Sequence, residues 1–237
     1  MSRIKGGGDS TISFIAKQKH KSRKQSKQKK LVLKSQPELQ KGINLIQKPD
    51  KLPVFQSLIA SELEKTDRNA VWIDTRNESS TYALSSYGCS GLLEKVKIGR
   101  AFTPFQHHNL VHQLEEFVDK DTELVVLPHI DHLYLDGQLR DWEAQELFEE
   151  SWDKILQLQD RYDLKIIVSA NRDSSLYYYV SGDADNKIRV DKTTHGWKYD
   201  SEEFDQMIYR DQGQLQTTMP YWFEKLSENI EVSTRRF

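Results

Sequence analysis

The chain contains a single cysteine, Cys89, and no long apolar segment. One thiol cannot form an internal disulfide framework or a multi-cysteine zinc site, which is typical of proteins kept in a reducing compartment. No stretch approaches the ~20 consecutive apolar residues that a membrane-spanning helix needs, and no apolar block followed by a cleavage site stands at the N-terminus. These absences predict a cytoplasmic protein without a membrane partner.

Positive charge is concentrated in the first 34 residues. They hold eleven Lys or Arg against Asp9 alone, so the rest of the chain holds 23 of the 34 basic residues and 35 of the 36 acidic ones. The formal net charge of -2 therefore combines a basic arm with an acidic body. We predict that residues 1–38 form this arm and residues 39–237 form one α/β domain, because 237 residues suffice for one substantial core.

The basic arm lacks the apolar residues that would offset the entropy lost on ordering, so we predict that it is disordered when free. Its clustered cations favour nucleic acid or an acidic partner, because binding releases counterions. The candidate nucleic-acid contacts in the arm are Lys17, Lys19, Lys21, Arg23, Lys24, Lys27, Lys29 and Lys30. The alternatives are a solubilising tail, a sorting signal, or an arm that lies on the acidic body.

From about Leu39 onwards, short apolar runs alternate with segments of helical periodicity. The predicted strands are Gly42–Ile46, Val71–Asp74, Val96–Phe102, Leu124–Leu127 and Lys165–Ala170, and the predicted helices are Leu52–Lys65, Thr81–Tyr87, Pro104–Val118 and Asp141–Tyr162. The nearly all-apolar Leu124–Leu127 is typical of a strand in the middle of a parallel sheet. Further strands at Ile188–Lys192, Gly196–Tyr199 and Leu215–Met219 indicate antiparallel hairpins. The predicted fold is α/β, with a mainly parallel central sheet flanked by helices and hairpins on the C-terminal side.

Several motifs, in a consistent order, resemble the core of RecA-type recombinases, most closely the archaeal RadA and RadB branch. Gly42–Ile46 is similar to the strand that enters the Walker A loop, and Val71–Thr75 to the strand that ends in Ile-Asp-Thr-Glu. Ile98–Phe102, followed by Gln106–His108, is similar to the family's Arg-Ala-Phe/Tyr segment and the His-Gln after it. The resemblance covers residues 40–200 and implies a RecA-like P-loop NTPase fold.

The positions that would bind and hydrolyse ATP depart from the family pattern. The loop after the first strand, Gln47–Val54, lacks the glycines that let backbone N–H groups approach phosphates, and it lacks the Lys-Ser/Thr pair. Arg76 replaces the acidic residue that polarises the attacking water, and Pro128 replaces the Walker B aspartate. The resemblance therefore implies a domain that is not an ATPase and needs no cofactor. The degenerate nucleotide site comprises Lys48, Lys51, Arg76 and Asn171, the last of which replaces a phosphate-sensing Gln.

The resemblance also implies that the loops after the central strands contact DNA. In this chain they are residues 135–142, with Arg140, and residues 172–185. In the second loop Arg172, Tyr177 and Tyr178 combine a cation with aromatic rings that stack on bases. Two observations count against this role. Asp173, Asp183 and Asp185 repel phosphates, and the composition of Tyr177–Val180 is typical of a β-strand, which is the structure we predict there.

Two other groups of residues are candidates for binding. The candidate metal ligands are His107, His108, His112, His129 and His132, of which His108 and His112 have the i, i+4 spacing of ligands on one helix face. No HExxH pattern accompanies them and we predict no metal site. The helix that carries Trp142 has an acidic face, and Met219–Phe223 is strongly apolar. Each of these segments is a candidate surface for a protein partner. The alternatives are a solvated helix face with its tryptophans turned inward, and closure of the core by Met219–Phe223.

The leading hypothesis from the sequence is a non-catalytic RecA-like accessory protein in DNA recombination, repair or replication. It would bind single-stranded or duplex DNA without sequence specificity through the arm, and its acidic body would dock an active recombinase or another replication or repair protein. The first alternative is a protein-only adapter or regulator with a solvating tail. The second is a protein that binds a nucleotide unconventionally through Lys48 or Lys51.

Overall fold

The computed structural model describes residues 36–48, 54–86, 91–194, 196–202, 205–211 and 214–217. The candidate cations of the arm, Lys51, Cys89 and Met219–Phe223 lie outside these residues. The strands are β1 Gly42–Gln47, β2 Asn69–Asp74, β3 Val96–Arg100, β4 Thr122–Leu127, β5 Lys165–Val168, β6 Asn186–Lys192, β7 Gly196–Asp200, β8 Asp205–Asp211 and β9 Gln214–Thr217. The helices are α1 Val54–Thr66, α2 Thr81–Ser86, α3 Pro104–Phe117, α4 Asp141–Tyr162 and α5 Tyr177–Gly182, with 3-10 turns at Leu92–Lys95 and His132–Leu135.

The strands form one sheet in the order β3-β2-β4-β5-β1-β6-β7-β8-β9. The pairings from β3 to β6 are all parallel, whereas β7, β8 and β9 add antiparallel hairpins at one end. The α/β class, the mainly parallel sheet and the C-terminal hairpins predicted from the sequence are therefore confirmed. As expected from its apolar run, β4 is fully buried and lies between β2 and β5.

Helices cover both faces of the sheet. Phe55 and Leu58 of α1 belong to the core on one face, while Val111 of α3 and Phe148 of α4 belong to the core on the other. The chain moves across the sheet in one direction after β1 and β2 and in the opposite direction after β3, β4 and β5. Because parallel crossovers are right-handed, this reversal sends the helices to opposite faces.

A buried asparagine fixes the central strand against both of its neighbours. The Asn44 Nδ2 amide donates to the carbonyl oxygen of Ile166 on β5 at 3.3 Å, and Asn44 Oδ1 accepts from Asn186 Nδ2 on β6 at 3.2 Å. The same side chain accepts from the N–H of Gln40 at 3.1 Å and donates to its carbonyl at 2.8 Å. Because a buried amide must be hydrogen-bonded, these contacts specify one register for β1.

Local signals explain where the best-defined helices begin and end. Thr103 is the N-cap of α3, its hydroxyl accepts from the N–H of Gln106 at 3.2 Å, and Pro104 occupies the first turn, as the sequence predicts. Helix α4, the longest of the described helices, ends at Tyr162, and Asp163 after it adopts φ 52°. This left-handed residue ends the helix and turns the chain into β5.

The prediction of a β-strand at Tyr177–Val180 is wrong, because these residues begin helix α5. β5 is already paired with β4 on one side and β1 on the other, so the sheet offers no free edge at this point. Leu176 and Val180, four residues apart, instead bury their side chains in the core that α4 shares. The sequence also did not predict β8, and the predicted strands Val96–Phe102 and Lys165–Ala170 each end two residues earlier.

We expect Asn44→Ala to lower the free energy of unfolding by about 2–4 kcal/mol, because it leaves several buried backbone and side-chain groups without partners. Equilibrium unfolding in urea measures this change. The matched control is Asn109→Ala on the exposed side of α3, with an expected effect within about 0.5 kcal/mol. Equal effects of the two substitutions would contradict the role assigned to Asn44.

Candidate functional site

A cavity of about 610 Å³ opens at the carboxyl ends of the parallel strands. Its walls come from the end of β1, from β6, and from the segments that follow β2, β4 and β5. The change of direction across the sheet places β1 beside β5 and β2 beside β4, and ligands of open α/β sheets bind at such points. The volume lies within the range of small-molecule sites, roughly 300–1,000 Å³.

Three of the four residues predicted for the degenerate nucleotide site line this cavity: Lys48, Arg76 and Asn171. The fourth, Lys51, lies outside the described residues. The Lys48 side chain is 1% exposed, its Nζ atom lies 3.0 Å from Glu78 Oε1, and it stands 5.3 Å from the centre of the Phe55 ring. This ammonium group is committed to an internal ion pair rather than presented to a ligand.

Glu78 joins three of the segments at this edge. The same carboxylate oxygen that contacts Lys48 lies 3.0 Å from Nε2 of His129. Burial raises the pKa of Glu78, but the hydrogen bonds from His129 and Lys48 and the charge of Lys48 outweigh it and hold that pKa below its ordinary value. The cluster of Lys48, Glu78 and His129 therefore ties the segments after β1, β2 and β4 together. Sequence reasoning missed Glu78 and considered His129 only as a metal ligand, since 51 residues separate the two and no motif links them.

The loop that carries Arg76 is held by the buried Asp74 at the end of β2. Asp74 Oδ1 accepts from the N–H of Glu78 at 2.9 Å, and Oδ2 accepts from the N–H and hydroxyl of Ser79 at 2.9 and 2.5 Å. Asn77 turns this loop with φ 58°. The carboxylate of Asp74 therefore binds the backbone of the loop, and Arg76 in that loop lines the cavity.

The segment after β4 lacks the carboxylate that a magnesium site would need at Pro128. The Thr75 hydroxyl donates to the carbonyl of Pro128 at 2.9 Å, and His129 follows in a left-handed conformation with φ 48°. Asp131 is buried, which raises its pKa, and it accepts from the N–H of Asn171 at 2.9 Å. This carboxylate orders the segment after β5 and is not presented to solvent.

The two segments predicted to contact DNA meet where α4 begins. Residues 172–185 then continue to the amino edge of the sheet, where Asp185 accepts from the N–H of Ile43 at 2.7 Å. Gln145 Nε2, one turn into α4, donates to the hydroxyl of Tyr179 at 2.8 Å, so the start of α4 contacts α5. Trp142 on α4 and Tyr178 on α5 are 61% and 80% exposed, which is unusual for large aromatic rings. The sequence had left open whether Trp142 contacts DNA, docks a protein partner or turns inward, because exposure cannot be read from composition.

The remaining predicted contacts in these segments have different surroundings. Arg140 is exposed beside Trp142. Arg172 is exposed and donates to Gln47 Oε1, and Gln47 Nε2 in turn donates to the hydroxyl of Tyr177. Tyr177 therefore contacts Gln47, which lines the cavity. The side chains of Arg140 and Arg172 are exposed, so a ligand can reach them.

The histidines of α3 form no metal site. The His108 and His112 rings lie 4.2 Å apart between centroids, and His108 Nε2 lies 3.1 Å from Glu150 Oε2. Burial and the charge of His108 lower the pKa of His112. Within the described residues, no group of three His, Cys, Asp or Glu side chains converges on a position suited to a metal ion.

Comparison with known proteins assigns no family. No protein-family model matches the chain, and a search of curated proteins also found no match. Among the described helices, none combines the length and apolar character needed to cross a membrane. The function is therefore inferred from the residues at the carboxyl edge of the sheet.

We expect Glu78→Gln to lower the free energy of unfolding near neutral pH, because it removes the charge shared by Lys48 and His129. A carboxylate whose pKa is lower in the folded state stabilises the fold at pH values above its unfolded-state pKa of 4.5. This contribution is lost as the pH falls through the lower, folded-state pKa. The difference in the free energy of unfolding between wild type and variant should therefore disappear on acidification. Urea unfolding at several values between about pH 3 and 7 measures it.

The control for this prediction is Glu116→Gln, which alters an exposed carboxylate on α3 without removing a described ion pair. A gap between wild type and Glu78→Gln that stays constant across the pH series would contradict the ion-pair account.

Proposed function

We propose that the protein is a non-catalytic, RecA-like accessory factor in DNA recombination, repair or replication, and that it binds single-stranded nucleic acid along the carboxyl edge of its sheet. One observation carries the proposal. Trp142 and Tyr178 are strongly exposed on the contacting helices α4 and α5, and Arg140 and Arg172 are exposed in the segments that lead into these helices; we call these four residues the rim. Exposed aromatic rings beside arginines are the recurring features of surfaces that bind single strands.

The same edge supports a binding role rather than ATP hydrolysis. Mg-assisted phosphoryl transfer depends on a phosphate-binding lysine, a magnesium-holding carboxylate and a residue that positions water. Here Lys48 is held by Glu78, Pro128 occupies the Walker B position, and Arg76 replaces the acidic residue. The mostly parallel sheet with helices on both faces is compatible with a RecA-like arrangement and also with a Rossmann-type one.

Stacking makes the surface selective for single strands. An unpaired base exposes its π-face to a ring, whereas a base inside a duplex is covered on both sides. Each stacked base contributes about 1–3 kcal/mol with little dependence on sequence. Trp142 and Tyr178 therefore supply short-range affinity without reading base identity.

The basic arm would supply the long-range attraction. Residues 35–237 carry 35 acidic against 23 basic residues, so phosphates are repelled by much of the body's surface. Tethered lysines would raise the local concentration of a strand and release its counterions. The exposed acidic residues of α4, among them Glu146, Glu150 and Asp153, leave a different surface for a protein partner.

We expect Trp142→Ala and Tyr178→Ala each to weaken binding of a single-stranded oligonucleotide by about 5-fold to 100-fold, since each removes one stacking ring. Fluorescence anisotropy with the full chain measures Kd. The control is Phe117→Ala, which alters a partly exposed ring where α3 ends, at the opposite edge of the sheet. Unchanged affinity in both rim variants would contradict the assignment of the rim.

The arm is tested with a full-length variant in which glutamine replaces Lys17, Lys19, Lys21, Arg23, Lys24, Lys27, Lys29 and Lys30. We expect weaker binding and a shallower slope of log K against log salt, because fewer counterions are released. The rim variants should keep the wild-type slope. If the wild-type chain does not bind a single strand at low salt, the proposed function is wrong and the protein-only adapter takes its place.

A further inference from the structure

The cavity behind the rim has balanced charge. Four basic and four acidic side chains line it: Lys48, Arg76, Arg172, Arg189, Asp131, Asp136, Asp173 and Asp191. Several of the cations already have partners, since Lys48 contacts Glu78 and Arg189 lies 2.9 Å from Asp191 and 2.7 Å from Asp200. A polyanion such as a free nucleoside triphosphate would have to compete with these carboxylates without a magnesium site. The cavity favours a polar ligand of low charge.

One wall of the cavity presents a flat, exposed ring. His132 stands at the start of the 3-10 turn after β4 and lines the cavity together with Arg76 and the partly exposed Leu135. Burial, followed by the charges of Arg76 and His129, lowers the pKa of His132, so its imidazole is neutral at neutral pH. A neutral imidazole next to a guanidinium group is a surface on which nucleobases stack.

The segment after β5, which is hydrogen-bonded to the turn that carries His132, supplies polar groups to the same cavity. Asn171 Oδ1 accepts from the N–H of Asp173 at 3.2 Å, which orients the amide. Within the described residues, the Asn171 Nδ2 group and the Asp173 carboxylate make no other hydrogen bond or ion pair. An amide donor next to a carboxylate acceptor matches the edge of a base that offers both an acceptor and a donor.

The cavity and the rim share two segments of the chain. Leu135 and Arg172 line the cavity and belong to the same segments that carry Arg140 and Tyr178 at the rim. We infer that the cavity binds one unpaired base of a strand held at the rim, with the base stacked on His132 and its edge bonded to Asn171 and Asp173. This inference rests on the proposed function, and it assigns the cavity to a nucleotide unit of the strand instead of a free nucleotide.

The test compares a base-bearing oligonucleotide with an abasic one of the same length, built from tetrahydrofuran units that keep every phosphate. We expect His132→Ala in the full chain to weaken binding of the base-bearing strand by about 5-fold to 100-fold and to leave binding of the abasic strand unchanged. The matched control is His112→Ala, which alters an exposed histidine on α3. It should affect neither strand.

Three results would overturn the inference in distinguishable ways. If His132→Ala leaves both affinities unchanged while Trp142→Ala still weakens binding, the cavity holds no base but the proposed function stands. If His132→Ala weakens both strands equally, the residue acts on phosphates or on the fold. If the wild-type chain binds neither strand, the proposed function fails with the inference.

Photo-crosslinking gives an independent measurement. Full-length protein is irradiated with four oligonucleotides that carry 5-iodouracil, 5-iodocytosine, 6-thioguanine or 8-azidoadenine, and the adducts are located by mass spectrometry. We expect at least one base to form an adduct within residues 129–136 or 169–173, and the adduct on the first segment to be lost in His132→Ala. Adducts confined to Trp142, Tyr178 or the arm would overturn the inference and would still support the rim.

Discussion

The hydrogen bonds of Asn44 are the constraint on which the site depends. This buried side chain connects β1 to β5 and to β6, and it holds the entering segment through Gln40. A parallel sheet places all its carboxyl ends at one edge only if the strands keep their register. With β1 fixed between β5 and β6, the segments after β1, β4 and β5 meet at one cavity.

At that edge, internal ion pairs hold together the segments that follow the strands. Lys48 is neutralised by Glu78, which also contacts His129, and Asp131 is occupied by the backbone of Asn171. Charged groups used in this way hold the loops together. The rings and arginines of the rim are exposed, as are His132, Asn171 and Asp173 in the cavity. A fold with the layout of a nucleotide-binding domain is thus compatible with a different ligand at the same edge.

The fold was largely predictable because its strands and helices have clear periodicity. The apolar run of β4 indicated a buried interior strand, and Thr103 with Pro104 marked the start of α3. Helix α5 was not predictable from Tyr177–Val180, since aromatic composition favours a strand and only the full pairing of β5 excludes it. Tertiary context overrides local propensity here.

The site was predictable only in part. Three of the four residues predicted for the degenerate nucleotide site do meet at the cavity, although they are separated along the chain. The partnership of Glu78 with Lys48 and His129 depends on three-dimensional proximity, which no local pattern encodes. The exposure of Trp142 and the availability of His132 likewise follow from how α4 and the turn after β4 pack.

Hydrogen exchange of backbone amides, measured with and without a single-stranded oligonucleotide, tests the central claim most directly. The account predicts slower exchange within residues 129–142 and 169–178 when the strand is bound, with no change in the buried helix α1. Slower exchange confined to residues 1–34, or no change anywhere in the chain, would contradict the claim that the carboxyl edge binds the strand.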